Sequence, residues 1–280
     1  GRRVLYQANP VAVTHDYIMD ELKRKRSAAI FYENKRENFI CKHCNILYKS
    51  LGAEGFIDIQ KVKKQSRPRD DSWWRGRRVW LGLDLSLSDD NTAVAMATEE
   101  DCKLYARVVG FIPTDKVEIK SQKEKIDYSS MIKKGYCIDC GDQVIDYGEI
   151  ENFIMTLEET LGVEVQQVGY DRWNAISTIQ KLENVAMDCV EIKQHSQILH
   201  APTKLLKEKI LAGAFFYDEN RLLEINFENA RCTEDTNLNK YVKKKKSTGK
   251  VDMVVALINA IYLVQQDLLY GSENFTVQVI

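Results

Sequence analysis

The chain has 280 residues, 44% of them hydrophobic and 29% charged, with 40 Lys/Arg against 41 Asp/Glu. That is an ordinary globular composition with length for one large domain or two small ones, and seven cysteines, an odd number, give no disulfide framework. The near-neutral total hides an uneven split: residues 1–80 carry 18 basic and 9 acidic side chains, the remainder 22 and 32, which fits a polyanion held by one part and cations by another, or simply a solvated basic helix.

No run of about 18 apolar residues and no signal-peptide hydrophobic region is seen, so the chain is expected to be soluble and intracellular. Residues 14–50 read as polar helix, with Thr14 as N-cap and the charged run over 20–27 behind it. From 52 to 78 the pattern dissolves into a basic loop or wrapping segment rich in Lys and Arg. Segments 79–86, 92–98 and 103–112 are short, apolar and rich in Val, Leu and aromatics, and short turns between them predict an antiparallel meander. Residues 115–134 read as helix, 136–145 as a small hairpin around Gly141 and Asp142, and 146–161 as an amphipathic helix. A fourth strand over 164–170, a helix over 173–182, a fifth strand over 187–192, a helix over 196–212 weakened by Pro202, and a final helix over 251–268 complete the series. Strands in a row followed by alternating helix and strand predict an α/β fold: a mixed β-sheet with helices on its faces.

Three aspartates stand where apolar elements end or begin. Asp84 lies inside Val79-Trp-Leu-Gly-Leu-Asp-Leu85, Asp171 closes Val165-Gln-Gln-Val-Gly-Tyr-Asp, and Asp252 opens the stretch from Met253 to Val264. An ionised carboxylate is costly to bury alone, and a shared divalent metal is a common reason to place several together. Two-metal phosphodiester hydrolysis needs such hard, anionic ligands around ions about 4 Å apart. Strand alternation sends Asp84 to the opposite sheet face from Leu83 and Leu85 and makes it the candidate bridging ligand; the helix dipole favours a carboxylate at Asp252. Asp90 is either a fourth ligand or a turn residue, and Asp89 turn chemistry.

The segments Gly82-Leu-Asp-Leu-Ser86 with Asp90-Asn-Thr-Ala93, Gly169-Tyr-Asp-Arg-Trp-Asn174 and Lys250-Val-Asp-Met-Val-Val-Ala-Leu257 resemble the nuclease domain of bacteriophage large terminase subunits. Asn9-Pro10, the basic helix and residues 38–48 resemble the segment joining the packaging ATPase to that nuclease. The motifs occur in order, about eighty residues apart. The resemblance implies a ribonuclease H-like fold and a Mg²⁺- or Mn²⁺-dependent endonuclease using two ions, which cuts concatemeric double-stranded DNA during head filling in the cytoplasm of a bacterial host. It assigns Asp84, Asp171 and Asp252 as metal-binding triad with Asp90 as accessory, and the packaging ATPase, small terminase subunit and portal as partners. It also predicts residues 1–76 as a basic helical linker from the ATPase junction, 77–270 as the nuclease and 271–280 as a tail. No Gly-x-x-x-x-Gly-Lys-Ser/Thr loop occurs, so the chain is expected to be the C-terminal piece of such a protein, without ATPase activity of its own.

Lys243, Lys244, Lys245, Lys246 and Lys250 immediately precede Asp252, and Arg172 follows Asp171. They are the candidate DNA contacts, Lys250 foremost, with a solvated loop as the alternative. Trp173 is expected to pack at a helix start; Lys193 and His195 follow the fifth strand within reach of the cleft, with a structural or exposed histidine as the preferred reading of His195. The pairs Cys41/Cys44 and Cys137/Cys140 have the spacing of half a zinc site each, but coincidence is the preferred reading. Two other functions use the same features: a ribonuclease H-like junction resolvase, and a non-enzymatic assembly module with structural aspartates.

Overall fold

The computed structural model describes residues 2–45, 55–86, 91–172 and 175–270, and the chain divides into two units, residues 1–55 and 56–280. Asp89, Asp90, Trp173, Asn174 and the tail 271–280 lie outside the described residues.

The first unit is helical: α1 (Arg2–Ala8), a 3₁₀ turn Pro10–Val13, α2 (Asp16–Phe31) and α3 (Glu33–Cys44). Leu5, Ala12, Met19, Leu22, Ala29 and Phe39 form its small core. The Asn9 amide donates to the carbonyls of Leu5 at 2.9 Å and His43 at 2.7 Å, tying the end of α1 to that of α3. Exposed pairs such as Asp20–Lys23 make the charged run a solvated helix face. The expected N-cap, Thr14, instead closes the 3₁₀ turn by bonding Val11, and α2 begins after His15.

The second unit opens with α4 (Ile59–Lys63), β1 (Ser66–Arg67) and α5 (Asp71–Trp74). The meander follows as β2 (Arg78–Asp84), β3 (Thr92–Glu100) and β4 (Lys103–Ile112). Next come α6 (Val117–Glu124), α7 (Tyr128–Lys133), β5 (Cys137–Asp139), α8 (Tyr147–Met155), α9 (Leu157–Leu161), β6 (Glu164–Tyr170), α10 (Ile176–Asn184) and β7 (Cys189–Glu191). The chain then runs through α11 (Ser196–Leu211), β8 (Phe215–Asp218), α12 (Arg221–Asn229), the hairpin β9 (Cys232–Glu234) and β10 (Lys240–Val242), and α13 (Asp252–Tyr270).

The sheet order is β1-β8-β4-β3-β2-β6-β7, with β5 also beside β4. β2, β3 and β4 are antiparallel neighbours, β2, β6 and β7 run parallel, and β8 and β5 share one edge of β4. An antiparallel meander whose first strand also pairs with a parallel βαβ series, helices on both faces, is the ribonuclease H-like arrangement expected from the motifs.

β2 is buried on both faces, which explains its unbroken apolar run. Val79, Leu81, Leu83 and Leu85 enter the core shared with α8 and α10, while Trp80 enters the core under α13. Gly82 and Asp84 follow Trp80 onto the α13 face by strand alternation. A Cβ on Gly82 would lie 2.1 Å from the Ala256 carbonyl and 2.3 Å from the Ala260 nitrogen, so only glycine lets α13 lie directly on the strand. α13 is long and apolar enough to cross a membrane, with mean hydropathy 1.4, but here it is the core helix of the sheet.

Several expectations need correction. Residues 56–76 do not belong with the leading basic segment: Phe56, Ile57, Val62 and Trp74 are core of the sheet unit, and Ser66 and Arg67 pair with β8. Their polar composition hid this because short pieces, each anchored by one or two apolar side chains, carry no periodicity. The helix over 115–134 breaks at Lys125, which adopts a left-handed conformation at φ 57°. The hairpin over 136–145 is a single strand, β5, parallel to β4. β8 and α12 went unread, being short elements of four and nine residues whose partners are distant in sequence.

Candidate metal site

Asp84 is the last residue of β2 and is 5% exposed. β6 pairs with β2 as far as Gly82–Gly169, whereas β3 accompanies it to Asp84–Ala93. The crevice where parallel strands part is where open α/β sheets place their sites. Beyond that point the backbone is held by other partners: the Leu83 carbonyl accepts from Asn259 Nδ2 at 2.9 Å, Ser86 N donates to Thr92 Oγ1 at 3.2 Å, and the Tyr147 hydroxyl donates to the Ser86 carbonyl.

Asp252 begins α13 and is likewise 5% exposed. The Met253 amide donates to Asn226 Oδ1 at 3.1 Å, so α12 caps this helix start. Asp252 Oδ2 is buried and has no hydrogen-bond partner. An orphaned carboxylate oxygen at a helix N-terminus is an unmet acceptor that a cation would satisfy.

The two acids converge on one ammonium. Lys244, first residue of the 3₁₀ turn Lys244–Lys246, brings Nζ to 2.7 Å from Asp84 Oδ1, 2.6 Å from Asp84 Oδ2 and 3.2 Å from Asp252 Oδ1. The turn is strapped to the end of α12: Lys243 N donates to the Arg231 carbonyl at 2.9 Å and Thr248 N to the Asn229 carbonyl at 3.1 Å. Burial pushes the Asp84 carboxyl up to about 6, with Asp252 and Asp171 adding to the rise and Lys244 opposing it. At Lys244 burial disfavours the charge, but Asp84 and Asp252 outweigh it and hold the ammonium above its usual range. Burial lowers Lys250, with Asp252 countering.

Asp171, one residue past β6, is half-buried and acts on Asp84 electrostatically. Among the described residues no three His, Cys, Asp or Glu side chains are gathered around one point. The structure thus brings Asp84 and Asp252 together and sets Asp171 at their margin. Two buried carboxylates already closing on a cation, one with an unmet oxygen, form a donor set suited to a hard divalent ion.

Of the basic residues singled out, Lys245, Lys246 and Arg172 are exposed and Lys243 and Lys250 half-buried. Lys193 and His195 are exposed on the approach to α11. Cys137 and Cys140 are buried, each thiol pushed up to about 12 by burial, which works against zinc-binding thiolates. Sequence reasoning missed the role of Lys244 as carboxylate partner, because nothing in a run of four lysines marks the one that turns inward. It also missed Asn259, which a lone amide in an apolar helix could have signalled.

The family model described as "Terminase large subunit, endonuclease domain" matches residues 5–267. The terminase large subunit of Enterobacteria phage HK97 is 22% identical over 189 residues, covering 66% of this chain and 37% of that protein. The Lactococcus phage SK1 terminase large subunit is 22% identical over 202 residues, covering 68% of this chain and 36% of that protein. The chain thus spans a little over a third of the length of these curated relatives. In fold it is similar to the crystal structure of the HK97 large terminase, with TM-score 0.68 at 19% identity over 94% of this chain and 54% of the other. A family match spanning nearly the whole chain agrees with the sheet order and with the acids at its strand ends: the chain belongs to the terminase large subunit endonuclease domain family.

Proposed function

We propose that this chain is the endonuclease of a viral DNA-packaging terminase, cutting concatemeric double-stranded DNA with two Mg²⁺ or Mn²⁺ ions. The observation that carries the reading is the closure of buried Asp84 and Asp252 on a single cation at the crevice between β2 and β6. Asp84, Asp252 and Asp171 are the ligands, with Asp90 as accessory. Bound divalent ions would activate water and stabilise the leaving oxygen of the scissile phosphate.

The chain's own groups prepare that chemistry. Asp84 holds a proton below about pH 6 and offers a full carboxylate only above it. Lys244 neutralises the acids while no other cation is present, and on releasing them its partly exposed side chain is free to meet a phosphate. Lys243, Lys245, Lys246, Lys250 and Arg172 supply backbone contacts without base readout, so binding should weaken with salt. The packaging ATPase, small subunit and portal are the partners, and the host cytoplasm the place of action.

The test is cleavage of supercoiled plasmid with Mg²⁺ or Mn²⁺ by the wild type beside Asp84→Asn and Asp252→Asn proteins of matched fold. Metal-dependent nicking lost in both variants supports the reading; cleavage surviving in both defeats the site assignment. Strong preference for branched over linear DNA would turn the reading to a junction resolvase. A folded wild type that neither binds metal nor cuts would turn it to an assembly module.

A further inference from the structure

From Met253 to Val264, α13 is apolar apart from Asn259, which is fully buried, and Tyr262. A buried amide is costly unless its donor and acceptor are both used, and here both are. Asn259 Nδ2 donates to the Leu83 carbonyl at 2.9 Å, and Asn259 Oδ1 accepts from Gln194 Nε2 at 3.1 Å. Gln194 Nε2 also donates to the Ile192 carbonyl at 3.2 Å, which fixes the orientation of the amide that holds Asn259.

The placement gives this tie its meaning. Asn259 lies seven residues, two helical turns, beyond Asp252, so both project from the same face of α13. Leu83 directly precedes Asp84. The helix face thus addresses consecutive β2 residues, its amide holding the peptide of Leu83 while its first residue meets the cation shared with Asp84. Beside Leu83 the helix lies on the strand backbone itself: Gly82 has no side chain, and opposite it stand the backbones of Ala256 and Ala260. At that contact Gly82 has no side chain to lock against the helix, and Trp80, two residues earlier, is the β2 side chain that packs under α13. The hydrogen bond adds a directional constraint that apolar packing lacks, as a single buried polar residue fixes register in coiled coils.

We propose that Asn259 is a positioning residue that sets the register of α13 along β2, and through it the spacing of the Asp84 and Asp252 carboxylates, with Gln194 holding the amide in place. Its consequence for metal binding rests on reading the acids as ligands; its consequence for geometry does not.

The experiment uses the whole chain and three variants: Asn259→Leu, Gln194→Met as a milder cut of the same tie, and Leu263→Ala, which leaves a cavity one turn further along α13 and keeps both amides of the tie. Mn²⁺ affinity is read from the free-ion electron paramagnetic resonance signal, and a metal-free crystal structure is determined for Asn259→Leu, or for Gln194→Met if the former does not fold. Expected are affinity losses of about tenfold or more for the two tie variants, with Leu263→Ala close to wild type despite comparable thermal destabilisation. The structure should show α13 displaced along β2 and Lys244 no longer spanning both acids. Unchanged carboxylate spacing, or equal affinity losses in Leu263→Ala and Asn259→Leu, would overturn the proposal. Absence of Asp84-dependent Mn²⁺ binding in the wild type would instead sink the metal reading, leaving the crystal structure to decide the positioning role.

Discussion

Asp84→Asn should make the metal-free protein more stable at neutral pH while abolishing its response to metal. The folded-state pKa of Asp84 lies near 6, above its ordinary value of 3.8. The native state therefore binds more protons than the unfolded chain between those values, so this group's contribution to stability falls as pH rises from 4 to 6 and stays low above. A rise of about 2 units at ~1.36 kcal/mol each puts the cost at roughly 3 kcal/mol above pH 7, an upper figure because Lys244 adjusts when the charge is removed. Asparagine keeps the shape and carries no charge to desolvate. Urea denaturation in EDTA, wild type against variant at pH 5 and pH 8, isolates the effect as a difference between proteins. The variant should gain on the wild type at both values, by about twice as much at pH 8 as at pH 5, and added Mn²⁺ should stabilise the wild type alone. A variant no more stable than wild type at pH 8, or an advantage independent of pH, would refute the reasoning.

Lys244→Met should destabilise the metal-free protein at pH 8, where two buried acids lose their counter-ion, with a smaller loss at pH 5 as Asp84 takes up a proton; thermal melts at the two pH values check this. Replacing Lys245 and Lys246 by alanine should weaken DNA binding and lower the slope of log affinity against log salt by about 0.9 for each phosphate no longer neutralised, measured by fluorescence anisotropy on non-cleavable DNA. Gly82→Ala would drive a methyl group into the backbone of α13 and should cost about 3 kcal/mol or more in urea denaturation, since neither backbone has room to yield. Asp218→Asn should cost about 3–5 kcal/mol by the same assay, because the buried carboxylate accepts from Arg67, Arg107 and Trp74, and its loss takes the charge partner from Arg67 and leaves buried Arg107 with the exposed Asp71.

The central sheet was legible because β2, β3 and β4 are neighbours in sequence as well as in space, and their alternation and short turns are local signals. Asp84 and Asp252 were legible for a related reason: a carboxylate at the edge of an apolar element is conspicuous in one dimension. Their meeting was not, since it depends on α13 lying across β2, which Gly82 permits and no local pattern announces. The strap that delivers Lys244 was hidden similarly. It hangs on backbone bonds to Arg231 and Asn229, and backbone acceptors have no sequence signature. The stretch 56–76 was misread as linker because its anchors, Phe56, Val62 and Trp74, are spaced by loops and fit neither helical nor strand periodicity.

The sheet tapers at both sides, to a two-residue strand at β1 and a three-residue strand at β7. A strand this short presents too few free amides and carbonyls to recruit a strand from another molecule. Copies of this chain can therefore stand close together at high local concentration without their sheets joining edge to edge into aggregates.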